Sequence, residues 1–149
     1  MPEEHQSAMP VLLVEDNELD VEMTQRVLGR LATSVRLVVA RDGAATLAYC
    51  VPHDGTPLRP DLILLDLNLP AVSGLDVLRR LRAESFQQTP VIIISASDDD
   101  ECIRQGEELG ARGHLAKPLR LRDFLWIVGS IQRYGRRLER LAASPTKGG

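Results

Sequence analysis

Three short, almost unbroken apolar runs constrain the fold of this chain more than any other feature. They occupy residues 11–14, 62–65 and 91–94. Runs this short do not make stable helices, and their lack of polar alternation predicts strands that are buried on both faces. Residues 35–39 and 113–116 are more mixed, which predicts two further strands at the edges of the same sheet.

Helical patterns separate these five segments. Asn17 is suited to cap the first helix, with Asp20 at the capping-box position, and Asp42 is suited to begin the second. A fourth helix is predicted from Ser97 and Asp98 to about residue 110. The apolar positions predicted to face the core are Ala44, Leu47, Ala48 and Val51 in the second helix and Leu75, Leu78 and Leu81 in the third.

Strands and helices therefore alternate five times along the chain. This order predicts a parallel sheet with right-handed crossovers. The expected fold is α/β: a flavodoxin-like, doubly wound, five-stranded parallel sheet with strand order 2-1-3-4-5 and an extended last helix. The order 2-1-3-4-5 places the two mixed strands at the edges.

Size and composition favour one ordinary globular domain. The chain has 149 residues, of which 44% are hydrophobic and 26% charged. A net charge of −3 and only 3% aromatic residues argue against a nucleic-acid-binding domain. The polar start and the absence of an apolar run near 20 residues, with Cys50 and Cys102 as reduced thiols, predict a cytoplasmic protein without membrane contact.

Polar residues stand at the ends of the predicted strands. Glu15 and Asp16 follow the first strand, Asp66 the third, Ser95 the fourth and Lys117 the fifth. Each taken alone would be an ordinary cap or surface charge, but the carboxyl ends of parallel strands meet at one edge of the sheet. Clustered carboxylates favour Mg²⁺, and a carboxylate can attack phosphorus. An ammonium and a hydroxyl suit the oxygens of a transferring phosphoryl group.

The separate motifs at these strand ends together resemble a known family. They are Val14-Glu15-Asp16-Asn17, Leu65-Asp66-Leu67-Asn68-Leu69-Pro70, Ser73-Gly74, Ser95-Ala96 and Lys117-Pro118. The chain resembles the receiver domain of bacterial two-component response regulators over residues 10–132. The resemblance implies that Asp66 accepts a phosphoryl group from the phosphohistidine of a sensor histidine kinase. It also implies a protein that is not an enzyme in the usual sense, but has Mg²⁺-dependent self-phosphorylation and self-dephosphorylation chemistry.

The resemblance also assigns roles to the other site residues. It implies that Asp16, Asp66 and the backbone carbonyl of Asn68 bind Mg²⁺, with Glu15 acting through water. Ser95 is then the switch hydroxyl. Lys117 is the phosphate partner and precedes a cis peptide bond to Pro118.

One position departs from the family pattern. Three residues before the lysine, the family usually has a tyrosine or phenylalanine that rotates on switching, and here His114 stands there. Two interpretations stay open: a half-exposed histidine on an edge strand, and a pH-sensitive switch.

The subtype is suggested by three features. The long loop before the third strand, the run Asp-Leu-Asn-Leu-Pro at residues 66–70 and the extended last helix are similar to single-domain regulators that partner bacterial phytochromes. The resemblance implies a phytochrome as the kinase partner and no DNA-binding domain. The expected organisation is a flexible segment 1–9, the receiver domain 10–132, a helix extension 133–143 and a flexible tail 144–149.

The last helix is predicted from about Leu119 and is longer than the sheet can cover. Its apolar stripe predicts a homodimer contact, and the alternatives are a solvated basic helix end and a nucleic-acid arm. From residue 132 on, the chain has five basic residues and one acidic residue. The stripe is Leu121, Leu125, Val128, Ile131, Tyr134, Leu138 and Leu141, and the residues proposed for the contact are Trp126, Ile127, Tyr134 and Leu138.

Two other functions fit the site less well. A haloacid-dehalogenase-type phosphatase also uses an aspartate nucleophile, but it needs a second acid two residues on, where this chain has Asn68. A phosphorylation-independent scaffold would not require all five strand-end positions to be occupied. No Gly-x-x-x-x-Gly-Lys-Ser/Thr stretch supports a P-loop nucleotidase.

Overall fold

The computed structural model describes residues 8–31, 34–52, 54–84, 86, 88–96 and 100–131. The strands are β1 (Met9–Val14), β2 (Val35–Ala40), β3 (Leu62–Asp66), β4 (Val91–Ser95) and β5 (Gly113–Ala116). The helices are α1 (Glu18–Leu28), α2 (Gly43–Cys50), α3 (Gly74–Ala83), α4 (Asp100–Glu108) and α5 (Leu121–Gly129). A short 3₁₀ turn, Gly29–Leu31, follows α1.

The five strands form one parallel sheet in the order β2-β1-β3-β4-β5, which confirms the predicted fold. In the register, Val14 pairs with Leu65, and Ser95 pairs with Ala116. The residues that follow β1, β3, β4 and β5 are thereby brought to one edge of the sheet.

Each face of the sheet carries its own hydrophobic cluster, because successive side chains of a strand point to opposite faces. Leu13 and Leu64 belong to one cluster with α1 and α5. Leu12 and Ile63 belong to the other, with α2 and α3. All four are fully buried, as expected for central parallel strands.

The predicted face of α2 is wrong except at Leu47, which is partly buried and packs against the core. Ala44, Ala48 and Val51 are exposed, whereas Thr46 and Cys50 are buried. The Thr46 hydroxyl donates a 3.0 Å hydrogen bond to the Asp42 carbonyl, so it enters the core with its polar atom satisfied. The positions of the apolar residues alone therefore predict the wrong face of this short helix.

The last helix begins at Leu121, two residues after its predicted start, and α5 ends at Gly129. The Ser130 hydroxyl donates to the Ile127 carbonyl at 2.7 Å and competes there with the helical hydrogen bonds. The predicted extension 133–143, with Tyr134, Leu138 and Leu141, lies outside the described residues, as do the tail 144–149, residues 1–7 and the predicted start of α4 at Ser97 and Asp98.

Arg82, near the end of α3, holds together the edge of the sheet where the strands begin. Its guanidinium donates hydrogen bonds to the backbone carbonyls of Thr89, Leu109 and Gly110, each at 3.1 Å, and also to that of Phe86. Burial, together with the nearby charge of Arg112, lowers the pKa of this guanidinium. One cation thus ties the end of α3 to the turn before β4 and the turn after α4. None of the described helices combines the length and the apolar character needed to span a membrane.

Candidate functional site

Three carboxylates meet where β1 and β3 end. Glu15 and Asp66 are buried, while Asp16 is exposed. One oxygen from each of the three lies within 4.8 Å of the others. This confirms that the fold brings the predicted acids together at the switch point of the sheet.

Lys117 enters the same cluster from the end of β5. Its Nζ lies 2.7 Å from Glu15 Oε1, 2.9 Å from Asp66 Oδ2 and 2.9 Å from Asp20 Oδ2. The Lys117 amide donates to the Ser95 carbonyl at 3.0 Å, and the peptide bond to Pro118 is cis. The ammonium is therefore held directly against the central carboxylates.

Backbone amides fix the two buried acids. The Asn68 amide donates to Asp66 Oδ1 at 2.9 Å, and the Asn17 amide donates to Glu15 Oε2 at 3.2 Å. The two oxygens of Asp66 are thus distinct, since one accepts from an amide and the other from the Lys117 ammonium.

Gly74 allows α3 to start directly against Asp66. A Cβ at this position would lie 2.4 Å from the Asp66 carbonyl oxygen and 2.6 Å from Leu67 Cα. Ser73 caps the helix through its side chain, which accepts from the Asp76 amide. Only a glycine permits this approach of α3 to the end of β3.

The electrostatics of the cluster are dominated by crowded negative charge. Burial raises the pKa of Glu15 to about 7, and Asp66 adds to this while Lys117 opposes it. Burial lowers the pKa of Lys117, but its ion pairs with Glu15, Asp66 and Asp20 outweigh this and hold the pKa above its ordinary value. One ammonium shared among these acids does not neutralise them, so the site favours a further cation.

The donor set fits a hard divalent cation. Glu15 Oε1 is buried and, despite its ion pair with Lys117, accepts no well-directed hydrogen bond from the described residues. Carboxylate oxygens, together with a nearby backbone carbonyl such as that of Asn68, are the ligands that Mg²⁺ and Mn²⁺ take in proteins.

Ser95 closes the site on the β4 side. It is the last residue of β4 and is buried. A cleft of about 180 Å³ adjoins it and is lined by Asn68, Ser73 and Cys102 among others. Ser95 therefore borders an open space between the end of β4 and α4.

Comparison with known proteins identifies the family. Residues 11–128 match the sequence profile of the response regulator receiver domain. The chain belongs to this family. Response regulator Rcp1 of Synechocystis is 31% identical over 138 residues, which are 90% of this chain and 93% of Rcp1.

Solved structures of response regulators share the fold of this receiver domain. The bacteriophytochrome response regulator AtBRR superimposes with a TM-score of 0.69 at 32% identity, covering 81% of this chain and 90% of that one. The Mn²⁺-bound form of Rcp1 superimposes with a TM-score of 0.67 at 32% identity, covering 85% of this chain and 93% of that one. The chain is thus similar to phytochrome response regulators, as its motifs suggest.

His114 lies apart from the acids of the receiver domain. It sits on the edge strand β5, paired with Ile93 of β4, and is partly buried. Its Nε2 is buried and has no hydrogen-bond partner among the described residues. Among the described residues, no hydrogen bond or ion pair joins it to the acidic cluster.

Asp20 is the site residue that the sequence analysis missed. It was interpreted only as a capping-box residue, yet its carboxylate contacts Lys117 at 2.9 Å. The predicted cap forms by half: the Asn17 side chain accepts from the Asp20 amide, but the Asn17 amide donates to Glu15 rather than to Asp20. The available signal was its position one turn into α1, the helix that starts at the acidic edge of the sheet.

Proposed function

We propose that this receiver domain is a single-domain response regulator that accepts a phosphoryl group on Asp66 from a sensor histidine kinase and then changes its surface for signalling. The observation that supports this best is the contact of the buried Asp66 carboxylate with both Lys117 and an acidic cluster suited to a metal ion. A site of this kind supplies a nucleophile together with cations for an incoming phosphoryl group.

The transfer follows from these groups. A carboxylate oxygen of Asp66 forms a bond to phosphorus, and the bond from phosphorus to the kinase imidazole breaks. The electron pair leaves with the imidazole nitrogen, so no external oxidant, reductant or base is needed. Lys117 is then the partner of one phosphoryl oxygen, and the Ser95 hydroxyl donates to another.

Asp16, Asp66 and the Asn68 carbonyl would hold Mg²⁺, with Glu15 acting through water. The cation would neutralise charge on the phosphoryl oxygens and so support self-phosphorylation and self-dephosphorylation. The acidic cluster and the Mn²⁺-bound structure of Rcp1 support a divalent ion here.

The proposed switch is the Ser95 hydroxyl, which would turn toward the phosphoryl group. The neighbouring cleft leaves room for such a movement. His114 stands where a rotating aromatic residue is usual, and its unpartnered buried Nε2 supports a role for it in the switch. Replacement of His114 by phenylalanine is expected to preserve phosphorylation, since this side chain contributes nothing to the acidic cluster.

The proposed kinase partner is a bacterial phytochrome, and the proposed location is the cytoplasm. The similarity to AtBRR, a bacteriophytochrome response regulator, supports this. Phosphotransfer from purified kinases is the direct test of the partner. Rapid labelling by a phytochrome kinase, with none by unrelated kinases, is the expected result.

The phosphoacceptor is tested by mass spectrometry after treatment with acetyl phosphate and Mg²⁺. Wild type is expected to gain one phosphoryl mass and Asp66→Asn none. Asp123→Asn removes an exposed acid of α5 and should label like wild type. Unchanged labelling of Asp66→Asn would refute the assignment, and an unlabelled wild type would favour the phosphorylation-independent scaffold.

The proposed assembly is a homodimer through the last helix and its extension 133–143. Trp126 on α5 is 74% exposed, which supports a contact there. Ile127, which the sequence analysis assigned to this contact, is instead 7% exposed and packs in the core. Truncation after Ile131 should leave a folded, phosphorylatable monomer. Light scattering that finds the full chain monomeric, with and without a phosphoryl mimic, would rule the dimer out.

A further inference from the structure

We propose that Asp20 is a positioning residue that competes with the phosphoryl group for Lys117 and thereby weakens the binding of that group at Asp66. This inference rests on the function proposed above. It starts from the 2.9 Å contact between Asp20 Oδ2 and Lys117 Nζ, which joins α1 to the end of β5.

Among the described residues, no backbone amide of α1 donates to the Asp20 carboxylate. The Asn17 side chain accepts from the Asp20 amide at 2.9 Å, which fixes the backbone of Asp20 in the first turn of α1. The reciprocal bond of a capping box is replaced by the Asn17 amide donating to Glu15. The carboxylate is therefore held at a fixed place beside the site and directed to Lys117.

Three carboxylates crowd the Lys117 ammonium. It donates hydrogen bonds to Asp20 and Asp66, and Glu15 Oε1 lies 2.7 Å from it as an ion pair. A phosphoryl oxygen must therefore compete with these carboxylates for the ammonium. Asp66 loses its charge when it becomes an acyl phosphate, so its contact is given up first.

Asp20, unlike Asp66, is not modified by phosphorylation, so its carboxylate can keep its contact with the ammonium. Its Oδ2 and the Asp66 Oδ2 lie at the same distance from Lys117 Nζ, so the two oxygens are within twice that distance of each other. The charge of Asp20 thus acts twice against the phosphoryl group, by attracting Lys117 and by direct repulsion. Both effects have the same sign.

Asp20→Asn keeps the shape of the side chain and removes the charge. We expect it to bind beryllofluoride, a mimic of the phosphoryl group on Asp66, about three- to tenfold more tightly at saturating Mg²⁺. Calorimetric titration gives the affinity.

Two further variants separate this role from a general effect of charge or folding. Glu22→Gln removes one charge from an exposed position of the same helix and should leave the affinity for beryllofluoride unchanged. Asp20→Glu keeps the charge and should return the affinity toward wild type. A purely structural role would not give tighter binding in one variant and rescue in the other.

The outcomes are distinct from those of the proposed function. If wild type in Mg²⁺ does not bind beryllofluoride, the phosphoacceptor function itself fails. If wild type binds it and Asp20→Asn binds with equal or lower affinity, the role of Asp20 fails while the function stands.

Discussion

The Lys117 ammonium lies 2.9 Å from Asp66 Oδ2, although 51 positions of the sequence separate the two residues. The contact exists because β3 and β5 end at the same edge of one parallel sheet, with Ser95 of β4 between them. The same ammonium also serves Glu15 and Asp20, so each of these carboxylates is only partly compensated.

Removal of the exposed acid should separate metal binding from folding. Asp16→Ala is expected to weaken Mg²⁺ binding about tenfold or more, because it removes one of three clustered carboxylates. The metal-free variant should be as stable as wild type or more so, by about 0.5–1 kcal/mol, since like charges crowd there. Calorimetric titration and thermal unfolding in EDTA are the measurements, and a metal-free variant that melts earlier would count against this electrostatic account.

Glu15 predicts a pH dependence of the metal-free protein. Its pKa is about 7 in the folded chain against an ordinary value of 4.5, so between these values the folded state binds more protons than the unfolded state. The free energy of unfolding should therefore fall as the pH rises from 4.5 to 7, by about 3 kcal/mol at most from this group.

Urea denaturation in EDTA at several pH values tests this dependence. Other groups titrate in the same range, so the quantity to follow is the difference between wild type and Glu15→Gln. The free energy of unfolding of the variant, relative to that of wild type, should increase as the pH rises. A constant difference would show that Glu15 ionises normally.

Arg82 predicts a strong effect on stability far from the site. Arg82→Met removes one hydrogen-bond donor from each of four backbone carbonyls, and we expect a loss of about 3 kcal/mol in the free energy of unfolding. Arg79→Met on the same helix removes only an exposed ion pair with Asp76 and should cost less than about 1 kcal/mol. Equal losses in the two variants would refute the special role of Arg82.

A methyl group at Gly74 should disturb the phosphoacceptor. Gly74→Ala would place its Cβ against the backbone of Asp66 and Leu67, which we expect to cost about 1–3 kcal/mol and to slow labelling by acetyl phosphate. Gly129→Ala on α5 is the matched control, because its Cβ meets nothing within 4 Å, and it should stabilise by about 0.5–1 kcal/mol. Normal labelling of Gly74→Ala would mean that the end of β3 tolerates a shift of α3.

The sheet and the acidic site were predictable because they depend on local sequence. Buried parallel strands produce apolar runs such as residues 62–65, and their polar ends are then fixed by topology. The partner of Asp20 was not predictable in the same way. The Asp20 amide donates to the helix cap Asn17, whereas the Asp20 carboxylate contacts Lys117, and the sequence indicates only the first of these contacts.

Helix faces were harder to predict where polar side chains form hydrogen bonds with the backbone of their own helix. Thr46 is buried in place of Ala44 or Ala48 because its hydroxyl bonds to the backbone of its own helix. The contacts of Arg82 could not be predicted for another reason. Every residue has a backbone carbonyl, so the sequence does not indicate which carbonyls accept hydrogen bonds from an arginine.

The position of Arg82 also determines how α4 can move. Its guanidinium fastens the turn at Leu109 and Gly110, where α4 ends, while the start of α4 at Asp100 lies toward the edge of the sheet that carries Ser95 and Asp66. Because α4 is held at its end, a force that acts at its start would rotate the helix about that end. Displacement that originates at the acidic edge would be largest near Asp100 and smallest near Glu108, with Arg82 as the pivot.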